Sequence, residues 1–161
     1  MRPATGEDYW YCYRVMKKNM LELFARHWGG WNPAKFREGF DLGAISIVMV
    51  AGSRAGYLSV KPRQDGLYID NIQLSPRFQG RGLGTNILTR LIADNPSAHI
   101  YLTTFSDNPA KRLYERLGFT IADRDGATLT MLRNPQGGTQ QPDSTLSPRD
   151  RTEARSNTFN L

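Results

Sequence analysis

The stretch Leu74-Ser75-Pro76-Arg77-Phe78-Gln79-Gly80-Arg81-Gly82-Leu83-Gly84-Thr85 decides the fold. Ahead of it, Leu67 to Leu74 reads as a strand. Behind it, Leu83, Ile87, Leu88, Leu91 and Ile92 recur at helical spacing, so an amphipathic helix runs to Asn95-Pro96. Glycines at 80, 82 and 84 let the backbone turn sharply and let a ligand approach it closely. A helix that opens on such a turn offers unpaired N–H groups and the positive end of its dipole, which suit a pyrophosphate. Arg81 adds charge beside it. A turn that merely connects a strand to a helix would use the same glycines. Two phosphate-binding motifs fail on spacing. Gly84 is followed by Thr85-Asn86, not by the Lys-Ser/Thr of a Walker loop. The front of the chain reads as antiparallel hairpins, not as the repeated βαβ units of a dinucleotide fold.

The strand before the turn breaks its own alternation. Its apolar residues fall at Leu67, Ile69, Ile72 and Leu74, and the step from Ile69 to Ile72 is three. One extra residue there predicts a β-bulge around Asp70-Asn71, which leaves amides outside the ladder and splays the strand from its neighbour. An irregular edge strand is the plainer reading.

Working outward, residues 2–4 form a short first strand, and Glu7 to His27 is a helix with Tyr9, Tyr13, Met16, Met20 and Leu23 on one side. Gly29-Gly30 ends it. Asn32-Pro33 opens a second helix over Ala34 to Phe40. Ile45 to Ala51 is a strand, Gly52-Ser53-Arg54 a tight turn, Ala55 to Val60 a strand and Pro62 to Gly66 a further turn. Downstream, His99 to Thr104 is a strand. Asn108-Pro109 starts a helix to Leu117, with Leu113 and Leu117 facing the core and Gly118 stopping it. Phe119 to Asp123 and Ala127 to Leu132 are strands around a turn at Asp125-Gly126. The order β-αα-βββ-α-β-α-ββ describes an α+β domain around a mixed sheet.

At 161 residues, 39% of them hydrophobic and 22% charged, the chain suits one globular domain. No apolar run reaches membrane-spanning length, and the N-terminus lacks the apolar core of a signal peptide. With Cys12 the only cysteine, there is no internal disulfide framework, and a reducing cytoplasm is expected. Composition shifts near Asn134. Residues 1–133 are read as the domain and 134–161 as a flexible tail, whose arginines and acids cancel. The net charge of +6 therefore sits on the domain and favours polyanionic ligands.

The spacing Gln-x-x-Gly-x-Gly at 79–84 and the stretch Asn108-Pro109-Ala110-Lys111-Arg112-Leu113-Tyr114-Glu115-Arg116-Leu117-Gly118-Phe119 together resemble the GNAT superfamily of N-acetyltransferases, over roughly Ile45 to Leu132. The resemblance implies a mixed, mostly antiparallel central sheet flanked by helices, with a splayed bulged strand. It implies acetyl-CoA as co-substrate and no metal. Amides near Gly80, Gly82, Gly84 and Thr85 would hold the pyrophosphate, with Gln79 and Arg81 bordering it. The pantetheine arm would enter the gap beside the bulged strand and pair with Leu74, while the Ile72 amide faces the thioester oxygen. Asn108 would hold the arm, and the Tyr114 hydroxyl would protonate the departing thiolate. Lys111 and Arg112 either approach the phosphates or stay solvated.

Asp70 can accept a proton from an incoming ammonium, directly or through water, or it can cap a turn or stay solvated. In this superfamily the helices before the sheet form the acceptor side. Here they carry Trp28, Trp31 and Phe36, which line an acceptor slot or pack the helical hairpin. His27 can serve as a base, and a surface histidine after a helix usually has no role. Cys12 lies among helix aromatics with no histidine nearby in sequence, so direct attack in a ternary complex is expected rather than an acetyl-cysteine. The expected activity is transfer of the acetyl group to a primary amine, on a small molecule or a peptide. The alternative is a module that binds acetyl-CoA without turnover. Neither a membrane nor nucleic acid is an expected partner, and a homodimer is compatible with the sequence.

Overall fold

The computed structural model describes residues 1–64 and 66–135. The expected tail lies, from residue 136 onward, outside the described residues. A seven-stranded sheet runs in the order β1-β2-β3-β4-β5-β7-β6. Its strands are β1 (Arg2–Pro3), β2 (Ile45–Val50), β3 (Ser53–Arg63), β4 (Gly66–Leu74), β5 (His99–Phe105), β6 (Thr120–Asp125) and β7 (Thr128–Arg133). Every pairing is antiparallel except β4 with β5, where the crossover through α3 (Leu83–Asp94) returns the chain to run in the same direction. The helices are α1 (Tyr9–Trp28), α2 (Pro33–Gly39), α3 (Leu83–Asp94) and α4 (Lys111–Arg116).

Each face of the sheet carries its own apolar core. One joins Ile69, Ile72, Leu74, Ile100 and Leu102 of the central strands to Ile87, Leu88 and Ile92 of α3 and to Tyr114 of α4. The other joins Cys12, Met16, Met20 and Phe24 of α1 to Phe36 of α2 and to Ile45, Ile47, Tyr57 and Phe105. The spacing of α1's apolar residues explains why that helix lies flat on the sheet.

The helix ends follow the sequence. Gly29 takes the left-handed conformation that stops α1, at φ 75°. Asn32 caps α2, its Oδ1 accepting from the Ala34 and Lys35 amides at 3.0 and 3.2 Å.

Three of the boundaries that differ from expectation have a clear local cause. The turn after β2 uses Ala51 and Gly52, both at positive φ, so Ser53 is already in β3. β3 also runs on through Pro62 to Arg63. There it has passed the end of β2 and keeps one neighbour, a position that tolerates a residue without an N–H. α4 becomes regular only at Lys111, since the bonds from Lys111, Arg112 and Leu113 reach back three residues and wind a tighter first turn.

The bulge is where the spacing places it. Ser59 pairs with Asn71 and Val60 with Ile69, so Asp70 is the extra residue. β4 pairs with β5 from Gly66 to Ile69 and then parts from it, while β5 continues to Phe105. This leaves a gap between two central strands.

The N-terminus is held by a buried ionic cluster. Asp8, with a side chain 1% exposed, accepts from Arg2 at 2.7 and 2.9 Å, from Arg54 at 3.1 Å and from the Thr5 amide at 3.0 Å. The Arg2 hydrogen bond, against the opposing effect of burial, holds its carboxyl well below the usual carboxylate range. A depressed folded-state value stabilises the fold above the unfolded-state value of about 3.9, and that stabilisation is lost as pH falls towards the folded value. Asp8→Asn is therefore expected to cost on the order of 2 kcal/mol at pH 7. In urea titrations the difference from wild type should shrink below pH ~4. A difference independent of pH would contradict this.

Candidate active site

The strand–turn–helix at residues 74–85 opens one side of a cleft of about 790 Å³. Gly80 and Gly82 sit at φ 70° and 76°, a conformation that glycine adopts at little cost. Gly82 begins α3 and has no side chain to cap it. The bond from the Asn86 amide to Gly82 O is the first of the α-type in the helix, so the amides of Leu83, Gly84 and Thr85 lie ahead of the ladder. They start a helix of 12 residues with its positive end at the cleft.

The splay supplies the second wall. The Ser75 amide donates to Ala55 O at 2.8 Å, which makes Leu74–Gly56 and, by alternation, Ile72–Leu58 the pairs that exchange no ladder bonds. The main-chain groups of Ile72 and Leu74 therefore point away from β3 and into the gap, where β5 has diverged. The Leu74 carbonyl is engaged there: Asn19 Nδ2 and Gln79 Nε2 each donate to it at 2.9 Å.

The third wall is the start of α4. Asn108 is buried, and its Oδ1 accepts from the Ala110 amide at 3.0 Å, shaping the turn that faces the glycines. Lys18, Glu22 and Leu23 of α1 and Leu113 and Arg116 of α4 complete the lining.

Of the expected site residues, Leu74, Gln79, Gly80, Gly82, Gly84, Thr85 and Asn108 come together around this cleft. Arg81 is on the exposed turn and does not line it. Lys111 does not reach it either: its Nζ pairs with Glu115 at 2.9 Å one turn along α4, and the cations at the cleft are Lys18 and Arg116. Tyr114 is wholly buried, at 0% exposure, behind the cleft wall with its ring edge-on to Phe119. Leu113 and Leu117, expected to face the core, pack at its margin, and Tyr114 takes the interior place. The Tyr114 hydroxyl has no hydrogen-bond partner among the described residues, and burial raises it above the ordinary tyrosine range.

Asp70 lies apart from this cleft, in a cavity of about 20 Å³ shared with Phe36, Phe40, Tyr57, Ser59 and Asn71. Lys61 Nζ is 3.2 Å from its Oδ1 and Ser59 Oγ donates to its Oδ2 at 3.4 Å. Burial raises the carboxyl, and Lys61 then Ser59 oppose the shift. Trp28, Trp31 and Phe36 border a third cavity, of about 80 Å³, with Phe24. Trp31 Nε1 donates to Tyr13 Oη at 2.9 Å, and Trp28 stacks parallel on Phe24 while remaining 45% exposed. These aromatics thus pack the helices and border a slot at once. His27 is held by Asp107, with Nε2 2.9 Å from Oδ1, and lines none of these cavities. Cys12 is buried, and burial, then Asp8, pushes its thiol up to about 12.

A family model for the acetyltransferase (GNAT) family matches residues 13–119. The chain belongs to that family. A GCN5-like protein acetyltransferase of Mycobacterium tuberculosis is 43% identical over 56 residues, which are 32% of this chain and 27% of that protein. The chain thus spans about a quarter of the length of that curated relative. Among solved structures, the PaiA N-acetyltransferase of Thermoplasma acidophilum, in complex with coenzyme A, superposes with a TM-score of 0.65 at 15% identity. That match covers 83% of this chain and 96% of the other. The ribosomal-protein-S18-alanine N-acetyltransferase of Escherichia coli superposes with a TM-score of 0.62 at 21% identity, covering 86% and 96%. At these identities the two structures establish the fold.

An orphaned buried hydroxyl costs free energy that a phenyl ring would not. Tyr114→Phe is expected to leave the ligand-free protein as stable as wild type, or up to ~1 kcal/mol more stable. Chemical denaturation measures this, and a loss above ~1 kcal/mol would show that the hydroxyl has a partner within the protein.

Proposed function

We propose that the protein transfers the acetyl group of acetyl-CoA to a primary amine, by direct attack in a ternary complex. The carrying observation is that the uncapped start of α3 and the mouth of the β4–β5 gap open into the same cleft, facing Asn108. Four features fit CoA: amides ahead of the ladder at a helix start, gap-facing amides on Ile72 and Leu74, cations on Lys18 and Arg116, and a Tyr114 hydroxyl with no hydrogen-bond partner among the described residues. The co-substrate brings an activated thioester carbonyl.

The chain's residues then divide the work. The amides near Gly80, Gly82, Gly84 and Thr85 hold the pyrophosphate, which suits the positive end of α3. Asn108 and the gap-facing amide of Leu74 hold the arm, the Leu74 carbonyl being engaged by Asn19 and Gln79. The Ile72 amide donates to the thioester oxygen and stabilises the charge that develops there. Tyr114 keeps its proton at neutral pH because burial raises it, so Oη supplies a proton to the departing sulfur. Asp70, raised by burial, lies apart from the cleft in a cavity that shares Phe36 with the acceptor slot, and takes a proton from the acceptor ammonium through water. Cys12, raised to about 12, stays a thiol and forms no acyl intermediate. The slot at Trp28, Trp31 and Phe36 receives the rest of the acceptor.

The test is acetyl-CoA consumption against a panel of primary amines: small amines, polyamines, amino acids and peptides. Tyr114→Phe is expected to lower kcat about a hundredfold with little change in KM for acetyl-CoA. Asp70→Asn should remove the acidic limb of the kcat/KM profile, because rate is lost as pH falls through the raised Asp70 value. Full turnover by Tyr114→Phe across the pH range would overturn the acid assignment. CoA binding with no turnover on any amine would leave a binding module instead.

A further inference from the structure

Four side-chain carboxamides form a directed chain beneath the cleft. Gln79 Nε2 donates to Asn19 Oδ1 at 3.2 Å, Asn19 Nδ2 to Gln73 Oε1 at 2.9 Å, and Gln73 Nε2 to Asn71 Oδ1 at 3.1 Å. Asn71 Nδ2 ends the series on Met16 Sδ at 3.6 Å. Each amide donates to the next, so the orientation of one sets the orientation of all. Asn71 and Gln73 are buried on the face of β4 opposite Ile72 and Leu74, and Asn19 reaches them from α1. The chain thus runs from the bulge to the glycine turn.

The hydrogen-bond inventory of Gln79 is informative. A carboxamide nitrogen carries two donors. Those of Gln79 are directed to Asn19 Oδ1 and to the Leu74 carbonyl, at 3.2 and 2.9 Å. Neither is left for a phosphate oxygen, and the Gln79 side chain becomes a clasp that folds the turn back onto β4. Asn19 in turn donates to the same Leu74 carbonyl at 2.9 Å, so it fixes both ends of the clasp.

We propose that Asn19 is a positioning residue that acts through Gln79, holding the glycine turn in the conformation that receives the CoA pyrophosphate. The proposal rests on the CoA reading of the cleft. It assigns Gln79 a different role from the one the family resemblance implies: its side chain shapes the cradle rather than touching the ligand. Asn19 also lines the cleft, and the rival account is that each side chain contacts CoA independently.

A double-mutant cycle separates the two. CoA binding is measured by calorimetry for wild type, Asn19→Ala, Gln79→Ala and the double variant, with a thermal melt of each. If Asn19 works through Gln79, each single variant weakens binding by roughly five- to tenfold, and the double variant is no weaker than the weaker single. Under turnover, KM for acetyl-CoA should rise by a similar factor while kcat and the KM for the amine stay within about twofold. Losses that multiply in the double variant, or single variants that bind like wild type, would overturn the proposal. Asn19 is part-exposed on a helix, so Asn19→Ala is expected to fold. Should the melt show otherwise, Asn19→Ser replaces it in the same cycle. Absence of CoA binding in wild type itself would instead remove the reading of the cleft on which the proposal stands.

Discussion

Past Ile69 and Leu102 no ladder bond ties β4 to β5, and the site is organised by that separation. Two central strands of a sheet that part leave backbone groups facing inward with no partner strand, and the side chains of Asn19 and Gln79 meet one of them, the Leu74 carbonyl. The cause is local. Asp70 adds one residue to β4, and this changes the course of the strand at the last paired position. Because Ile72 and Leu74 are non-exchanging partners of β3, their main-chain groups turn into the opening rather than away from it.

The two cores explain how a fold can tolerate such a gap. α3 and α4 cover one face of the parted strands with Ile87, Leu88 and Tyr114, and α1 covers the other with Met16 and Met20. The polar groups on β4 that α1 covers would be costly if unpaired. They are spent on one another and on Asn19, so the strand stays fixed where its ladder has ended. The same bonds bring α1 to the glycine turn. A helix that the family resemblance assigns to the acceptor side therefore also borders the cleft at the glycine turn.

What was legible in the sequence followed strong local rules. The three-residue step from Ile69 to Ile72 located the bulge. Glycines before an apolar helical stripe located the start of α3, and Asn32-Pro33 located that of α2. The less legible parts depend on partners distant along the chain. The motif leaves Lys111 either near the phosphates or solvated; Glu115 one turn on binds it, and Arg116 lines the cleft. Leu113 and Leu117 had the spacing of a core face, yet Tyr114 takes the interior place. Asn19 gave no signal of its own in the middle of a long helix. A sign did exist on the other side of the contact: Asn71 and Gln73 alternate with Ile72 and Leu74 on a strand apolar enough to be central, so a polar partner had to cover them. Trp28, Trp31 and Phe36 kept both of their readings, because the same rings pack the helices and border a slot.

The proposed function requires that a diphosphate rest on the amides that open α3 while the arm behind it lies in the gap. The most direct measurement is a titration of the uniformly ¹⁵N-labelled protein with CoA, followed by amide shifts. Large shifts are expected for Gly82, Leu83, Gly84 and Thr85, with Ile72 and Leu74 moving at the same ligand concentration. Shifts confined to exposed basic residues, with the amides at the start of α3 unmoved, would contradict it.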